Sequence, residues 1–379
     1  MPGNRSPALL PSPDPQALAA SRALLERIGA ELGAAGNWIS FARYMELVLY
    51  EPGLGYYASG ARKLGAGGDF VTAPELSPLF GRALARQIRQ VLGPDEAVLE
   101  FGAGSGLLAE ILLSELEGVK YQILETSPEL RDRQRNRLGS RVQWLDYLPQ
   151  KFRGVMLANE VVDAMPVHAL AWTRAGVMER GVCANEGQLA WSERAAGGLV
   201  LARARELEID IPPSGRYESE LALFARAWMR SLGRLLERGA LLVIDYGFPA
   251  REYFHPQRSM GTLACHYRHR VHDDPFYLPG LQDVTAHVDF SALTRAAADA
   301  GLELLGFANQ AQFLVNCGIT ELLAEENPAD PKRYLPAAAA AQKLLSPSEM
   351  GELFKVLAVG KGVTDSLMGF SRGDRSGTL

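Results

Sequence analysis

The sequence predicts an α/β protein built on a mostly parallel sheet, and three observations carry that prediction. Short apolar runs alternate with helical segments from Ala97 onward. Glycines cluster where the first run meets the first of those helices. Further apolar runs return far downstream, after two long interruptions. Strands alternating with helices make βαβ units, and their crossovers impose parallel pairing.

Residues 1–15, rich in proline, read as a disordered leader without the apolar stretch of a secretory signal. From Gln16 to Leu32, Leu18, Leu24, Leu25, Ile28 and Leu32 recur at helical spacing. Ser40 is placed to cap a second helix, FARYMELVLY, which Glu51-Pro52-Gly53 ends. LGYYASGARKLGAGGDFVTAPE reads as an ordered loop over a ligand, and Pro78 opens a helix to about Val91. Together, 16–95 form an N-terminal helical segment with its glycine-rich loop. AVLEF, KYQILE, RVQWL and GVMLANE are strands, and GLLAEILLSEL and PELRDRQRNRL helices, making 96–165 the first half of the core. WTRAGVMERGVCANEGQLAWSER alternates and turns at Asn-Glu-Gly, so 166–215 is an inserted antiparallel ribbon. GALLVIDYG returns to the core within 216–247. Segment 248–286, with many Pro, His, Arg and Asp, is an inserted loop on the substrate side. DFSALTRAAADAG, LELLGFAN and FKVLAVGKG complete the core over 287–365, with a helical insertion, and 366–379 reads as a disordered tail.

The 379 residues carry 39 basic and 44 acidic side chains, a net charge of −5, which argues against nucleic acid as the partner. Cys183, Cys265 and Cys317 lie too far apart for a disulfide framework or a cysteine zinc site. No apolar run is long enough to span a membrane, so no membrane insertion is expected and a cytoplasmic location is the default.

Gly102, Gly104 and Gly106 fall at a strand-to-helix turn, where glycine permits positive φ and leaves the backbone bare to a ligand. Dinucleotide sites prefer G-x-G-x-x-G/A, whereas the spacing here is G-x-G-x-G with Leu107 following. Glu100 stands just before the turn, where a diphosphate is repelled and a cation is welcome. S-adenosylmethionine carries a sulfonium and an ammonium and no phosphate, so it suits this loop. Glu125 closes the next strand, in position to accept both ribose hydroxyls, a placement that fits NAD as well. Asp146 follows the third strand as a candidate acceptor from the adenine amino group. Glu125 and Asp146 read alternatively as helix caps. Asn159 and Glu160 end the fourth strand at the mouth of the site.

YMELVLYEPGLGYYASG, GGDFVTAPELSPLFG, VLEFGAGSG, LANEVVDAMPV, GTLACHYRHRVHDDPF and DVTAHVDFSAL occur in this order. Together they resemble the MidA-like family of class I methyltransferases, from about Tyr44 to Val359. The resemblance implies a Rossmann-like core with a mostly parallel seven-stranded sheet, an N-terminal helical segment and inserted α+β segments. It implies S-adenosylmethionine as donor and an arginine in a protein substrate as acceptor. It implies that Glu100, Gly102, Gly104, Gly106 and Glu125 hold the cofactor. It also implies that Gly67, Gly68, Asp69, Phe70 and Thr72 belong to a loop closing over its methionine end. Asn159, Glu160 and Asp163 then stand next to the transferred methyl.

Guanidinium has a pKa above ~12, so its nitrogens hold little free lone-pair density. Carboxylates pairing with the non-reacting N–H groups localise the charge and orient the nitrogen that attacks. Glu160 and Asp163 suit that task, with Glu75 a third candidate; Asp163 also reads as a helix cap or structural ion pair. Tyr56, Tyr57 and Tyr246 are read as site walls or packing. His266, His269 and His272 sit beside Asp273 and Asp274, but Arg268 and Arg270 among them oppose a dication, so no metal is expected. That loop is read as shaping the acceptor entrance, or as ion-paired structure. His287 reads as packed before a helix that Asp289 caps. The ribbon is open to two readings, a homodimer surface or an acceptor cradle. A small-molecule methyltransferase and a cofactor-binding assembly factor with little turnover are the rival functions.

Overall fold

The computed structural model describes residues 10–59 and 72–379. Among the described residues the central sheet has seven main strands, β1 (Ala97–Phe101), β2 (Lys120–Leu124), β3 (Val142–Leu145), β4 (Phe152–Asn159), β5 (Leu236–Phe248), β6 (Glu303–Asn309) and β7 (Phe354–Lys361), and an eighth, two-residue strand, Val288–Asp289, pairs parallel with the end of β5. Their order across the sheet is β6-β7-β5-β4-β1-β2-β3, and β7 alone runs antiparallel to its neighbours β5 and β6. The central strands β4, β5 and β7 run through long continuously buried stretches because helices cover both faces, while the outer strands β2, β3 and β6 keep exposed positions. One face buries the helices Pro78–Val91 and Leu107–Glu115 through Phe80, Leu84, Leu108 and Leu112. The other buries Leu223–Leu235 and Phe290–Asp299 through Met229, Leu232, Phe290 and Leu293. Chain order reverses between β1 and β4, so the crevice for a ligand lies at their carboxyl ends.

Local signals act as the sequence predicts. Ser40 caps Phe41–Tyr50 by accepting from Arg43 N–H (3.2 Å), and Asp289 caps Phe290–Asp299 by accepting from Ala292 N–H (3.0 Å). At the opposite end of the sheet β1, β4 and β5 pinch together. A Cβ on Gly154 (φ 127°) would lie 2.0 Å from the Ala97 carbonyl oxygen. Backbone cannot yield there as a side chain can. Gly154→Ala is therefore expected to cost at least ~4 kcal/mol, read as a collapse of Tm; a Tm within a few degrees of wild type would show the strands free to part.

A second, antiparallel sheet occupies the ribbon insertion. Strands 168–173, 176–185, 188–195 and 216–221 build it, with 39–40 added at one side. The sequence reading placed 216–221 with the core, and the structure moves it: Arg216–Leu221 pairs with His168–Thr173. Its polar alternation explains the move, since Glu218 pairs with Arg180 and Arg216 where a core strand would be apolar. The N-terminal helices Pro15–Ala34 and Phe41–Tyr50 pack on this sheet through Leu24, Ile28, Phe41 and Met45.

The tail expected to be disordered is packed instead. Phe370 is buried against Gly306, whose Cβ would lie 2.2 Å from the ring. Asp374 accepts from Phe307 N–H (3.0 Å), and Arg375 pairs with Glu252 and Glu352 (3.0 Å each). Within the predicted leader, Asp14 caps the first helix by accepting from Ala17 N–H (2.8 Å).

Candidate active site

β1 leaves the sheet at Phe101 into a turn whose Gly102, Gly104 and Gly106 have φ of 57°, 54° and 76°. All three lie in the left-handed region that glycine alone enters freely. Gly102 and Gly104 line a cavity of about 350 Å³ at the carboxyl ends of β1, β2 and β4. Gly106 does not line it. A Cβ there would meet Gln134 Cγ at 3.3 Å, so Gly106 starts the helix and lets the next one pack close.

Two acids floor one side of the cavity. Glu125 is buried after β2; Oε1 accepts from Ser127 N–H (2.9 Å) and Oε2 from the Gln134 amide (3.0 Å). Those bonds fix the carboxylate while leaving lone pairs for a ligand. Burial pushes its pKa up, against the pull of these donors. Glu100, on β1, accepts from the Tyr121 hydroxyl (2.7 Å). Burial first, partly offset by that bond, raises it to about 7.

Opposite lies Glu160, one residue past β4, with Asn159 beside it, and both line the cavity. Glu160 Oε1 accepts from Ala73 N–H (3.4 Å) and from the Asn159 amide (3.3 Å). Burial and then the Asp163 carboxylate raise Glu160 to about 8. Thr72 and Glu75 line the same wall, and Ser105 of the glycine turn donates to Glu75. The rings of Tyr50 and Tyr57 stack at 5.6 Å and close the far side. Their hydroxyls donate away, Tyr50 to the Ala164 carbonyl (2.9 Å) and Tyr57 to Asp283 (2.9 Å). Among the described residues lining the cavity, four are Glu and none is Lys, Arg or His.

Other predicted residues lie elsewhere. Asp146, read as a candidate for the adenine amino group, does not line the cavity; it is exposed and pairs with Arg131 (2.6 Å). Asp163 is buried one step behind the wall, accepting from the Tyr246 hydroxyl. Burial raises it to about 6. Tyr56 is packed edge-on against Tyr57 behind the wall. His266 and His272 fall on a hairpin whose tip, Arg268 and His269, has φ of 48° and 61°. Among the described residues no group of His, Cys, Asp or Glu is arranged to hold a metal. Gly67, Gly68, Asp69 and Phe70 lie outside the described residues. The sequence reading passed over Tyr50, which its helical period marked only as core, and Asp283, inside a segment read as loop.

The donor set fits S-adenosylmethionine: a bare backbone turn, an acid after β2, and carboxylates that welcome a cation and repel a diphosphate. The model of a family of S-adenosyl-L-methionine-dependent methyltransferases matches residues 79–308. The mitochondrial protein arginine methyltransferase NDUFAF7 of Danio rerio is 30% identical over 89% of this chain and 87% of its own length. Its Drosophila melanogaster homologue is 28% identical over 90% and 85%. A superfamily member from Burkholderia thailandensis, crystallised with S-adenosyl-homocysteine, is 51% identical, with a TM-score of 0.93 over 98% of this chain and 100% of its own. Among the described residues no helix is long and apolar enough to cross a membrane. The chain thus has the Rossmann-like class I methyltransferase fold and belongs to the MidA-like family of S-adenosylmethionine-dependent methyltransferases.

Proposed function

We propose that the chain methylates an arginine side chain of a protein. The observation that carries this reading is the cavity wall: four glutamates with no counter-cation among the described lining residues. With no cation present, burial holds Glu100 and Glu160 in the protonated form up to about 7 and about 8; methyl transfer to arginine brings two cations, a sulfonium and a guanidinium, for which such acids can ionise. The names of the curated relatives point the same way.

When bound, S-adenosylmethionine supplies a methyl group on a positively charged sulfur. Glu100, Gly102, Gly104, Glu125 and Thr72 would hold it. On the other side Glu160 pairs with guanidinium N–H groups and turns one nitrogen toward the methyl. Glu160 would take the proton that this nitrogen sheds on gaining the methyl group. Asn159 steadies Glu160 through its amide. Asp163 supports that acid from behind without touching the acceptor. Tyr50 and Tyr57 present ring faces to the cation and keep water from that wall.

Incubation with labelled S-adenosylmethionine and the proteome of the source cell, followed by mass spectrometry, tests the reading. Label on arginine of a protein is the expected outcome. Label on other residues, or only on small molecules, would overturn the acceptor assignment.

A further inference from the structure

Glu160 holds a left-handed backbone, φ 54°, which an unbranched non-glycine residue adopts only under constraint. The constraint comes from the end of β5. Glu160 N–H donates to the Ile244 carbonyl (2.9 Å). Val162 and Asp163 N–H both donate to Asp245 Oδ2, at 2.9 and 3.2 Å. Asp245 Oδ1 accepts from Tyr246 N–H (2.9 Å), and the Tyr246 hydroxyl donates to Asp163. The turn after β4 is thus tied, bond by bond, to three consecutive residues of β5. Asp245 is fully buried and does not line the cavity. An acid placed inside an apolar strand is costly unless its bonds matter.

We infer that Asp245 is the positioning residue for Glu160, holding the turn that aims the Glu160 carboxylate at the acceptor. Its effect reaches methyl transfer through Glu160 alone, and cofactor affinity is untouched. The inference rests on the transferase reading above. A displacement of about 1 Å at a reacting group costs up to ~100-fold in rate, which sets the expected effect. Asparagine keeps one oxygen for the two N–H groups of the turn, while its NH2 faces Tyr246 N–H and cannot accept from it. Alanine loses all three.

The test compares Asp245→Ala, Asp245→Asn, Glu160→Gln and the double variant Asp245→Ala/Glu160→Gln. Calorimetry with S-adenosylhomocysteine reads cofactor affinity, and methyl incorporation from labelled donor into cell-extract protein reads transfer. Asp245→Ala is expected to bind S-adenosylhomocysteine within about twofold of wild type and to transfer ~100-fold more slowly. Asp245→Asn is expected to regain at least ~10-fold of that loss. Adding Asp245→Ala to Glu160→Gln should slow transfer no further, because both changes remove one function. Additive losses, absence of rescue by asparagine, or a fall in cofactor affinity matching the fall in transfer would each overturn the inference. Where Asp245→Ala does not fold, Asp245→Ser takes its place. If wild type labels no protein, the protein-acceptor reading fails on its own. The positioning claim is then decided by a crystal structure of the alanine or serine variant: Glu160 out of the left-handed region supports it, and Glu160 unmoved refutes it.

Discussion

Glu160→Gln is expected to lower methyl transfer ~1,000-fold while leaving S-adenosylhomocysteine affinity within about twofold. Glutamine keeps the shape and the bond from Ala73 N–H but can neither localise guanidinium charge nor take its proton. The pH dependence has a definite sign. Burial, then Asp163 and, more weakly, Asp283 hold Glu160 protonated up to about 8 in the free enzyme. Wild-type kcat/KM should therefore climb with pH and level off above about 8, and the residual activity of Glu160→Gln should lack that limb. Stability runs the other way. A carboxyl whose folded pKa lies above its unfolded value contributes stability below the unfolded pKa and loses it as pH rises through the folded one. Glu160→Gln should then melt at or above the wild-type temperature at pH ~9, in the charged regime. A variant that loses cofactor affinity and transfer together would make Glu160 a cofactor or structural residue.

Gly104→Val is expected to weaken S-adenosylhomocysteine binding at least ~100-fold, measured by calorimetry. Gly104 has φ 54° and lines the cavity, and its carbonyl accepts from Gln134 (3.0 Å). A β-branched residue in that region strains the turn, and its methyl groups fill space meant for the ligand. The strained turn also drags on Gln134, which holds Glu125. Unchanged affinity would show that the cofactor binds elsewhere.

Much of this architecture is legible in the chain because its signals are local. The runs AVLEF, KYQILE and GVMLANE announce buried strands by themselves, and Ser40 and Asp289 announce helix starts. Glu125 is legible because a strand end fixes where its side chain points. Asp146 stands at an equivalent strand end, yet Arg131, fifteen positions upstream, captures it; no local pattern shows that competition. The boundary drawn at 216 leaves Arg216–Leu221 with the core because only its pairing with His168–Thr173, remote in sequence, assigns it to the ribbon. The tail was misread for a related reason: its glycines and charges hide Phe370, whose partner Gly306 is remote in sequence. Tyr50 is the opposite case, a site residue concealed inside a good helical period. Asp245 hides in an apolar run, where an acid reads as a blemish rather than a tether.

Glu160 has a chain geometry that favours glycine, whereas the proposed function asks for an acid there. A thermostabilisation campaign guided by backbone preference would put glycine there and harvest a sturdier but silent protein. On the proposed function, a screen of this chain that ranks variants by heat resistance alone is expected to enrich for inactive ones at this position, and melting curves will need turnover beside them.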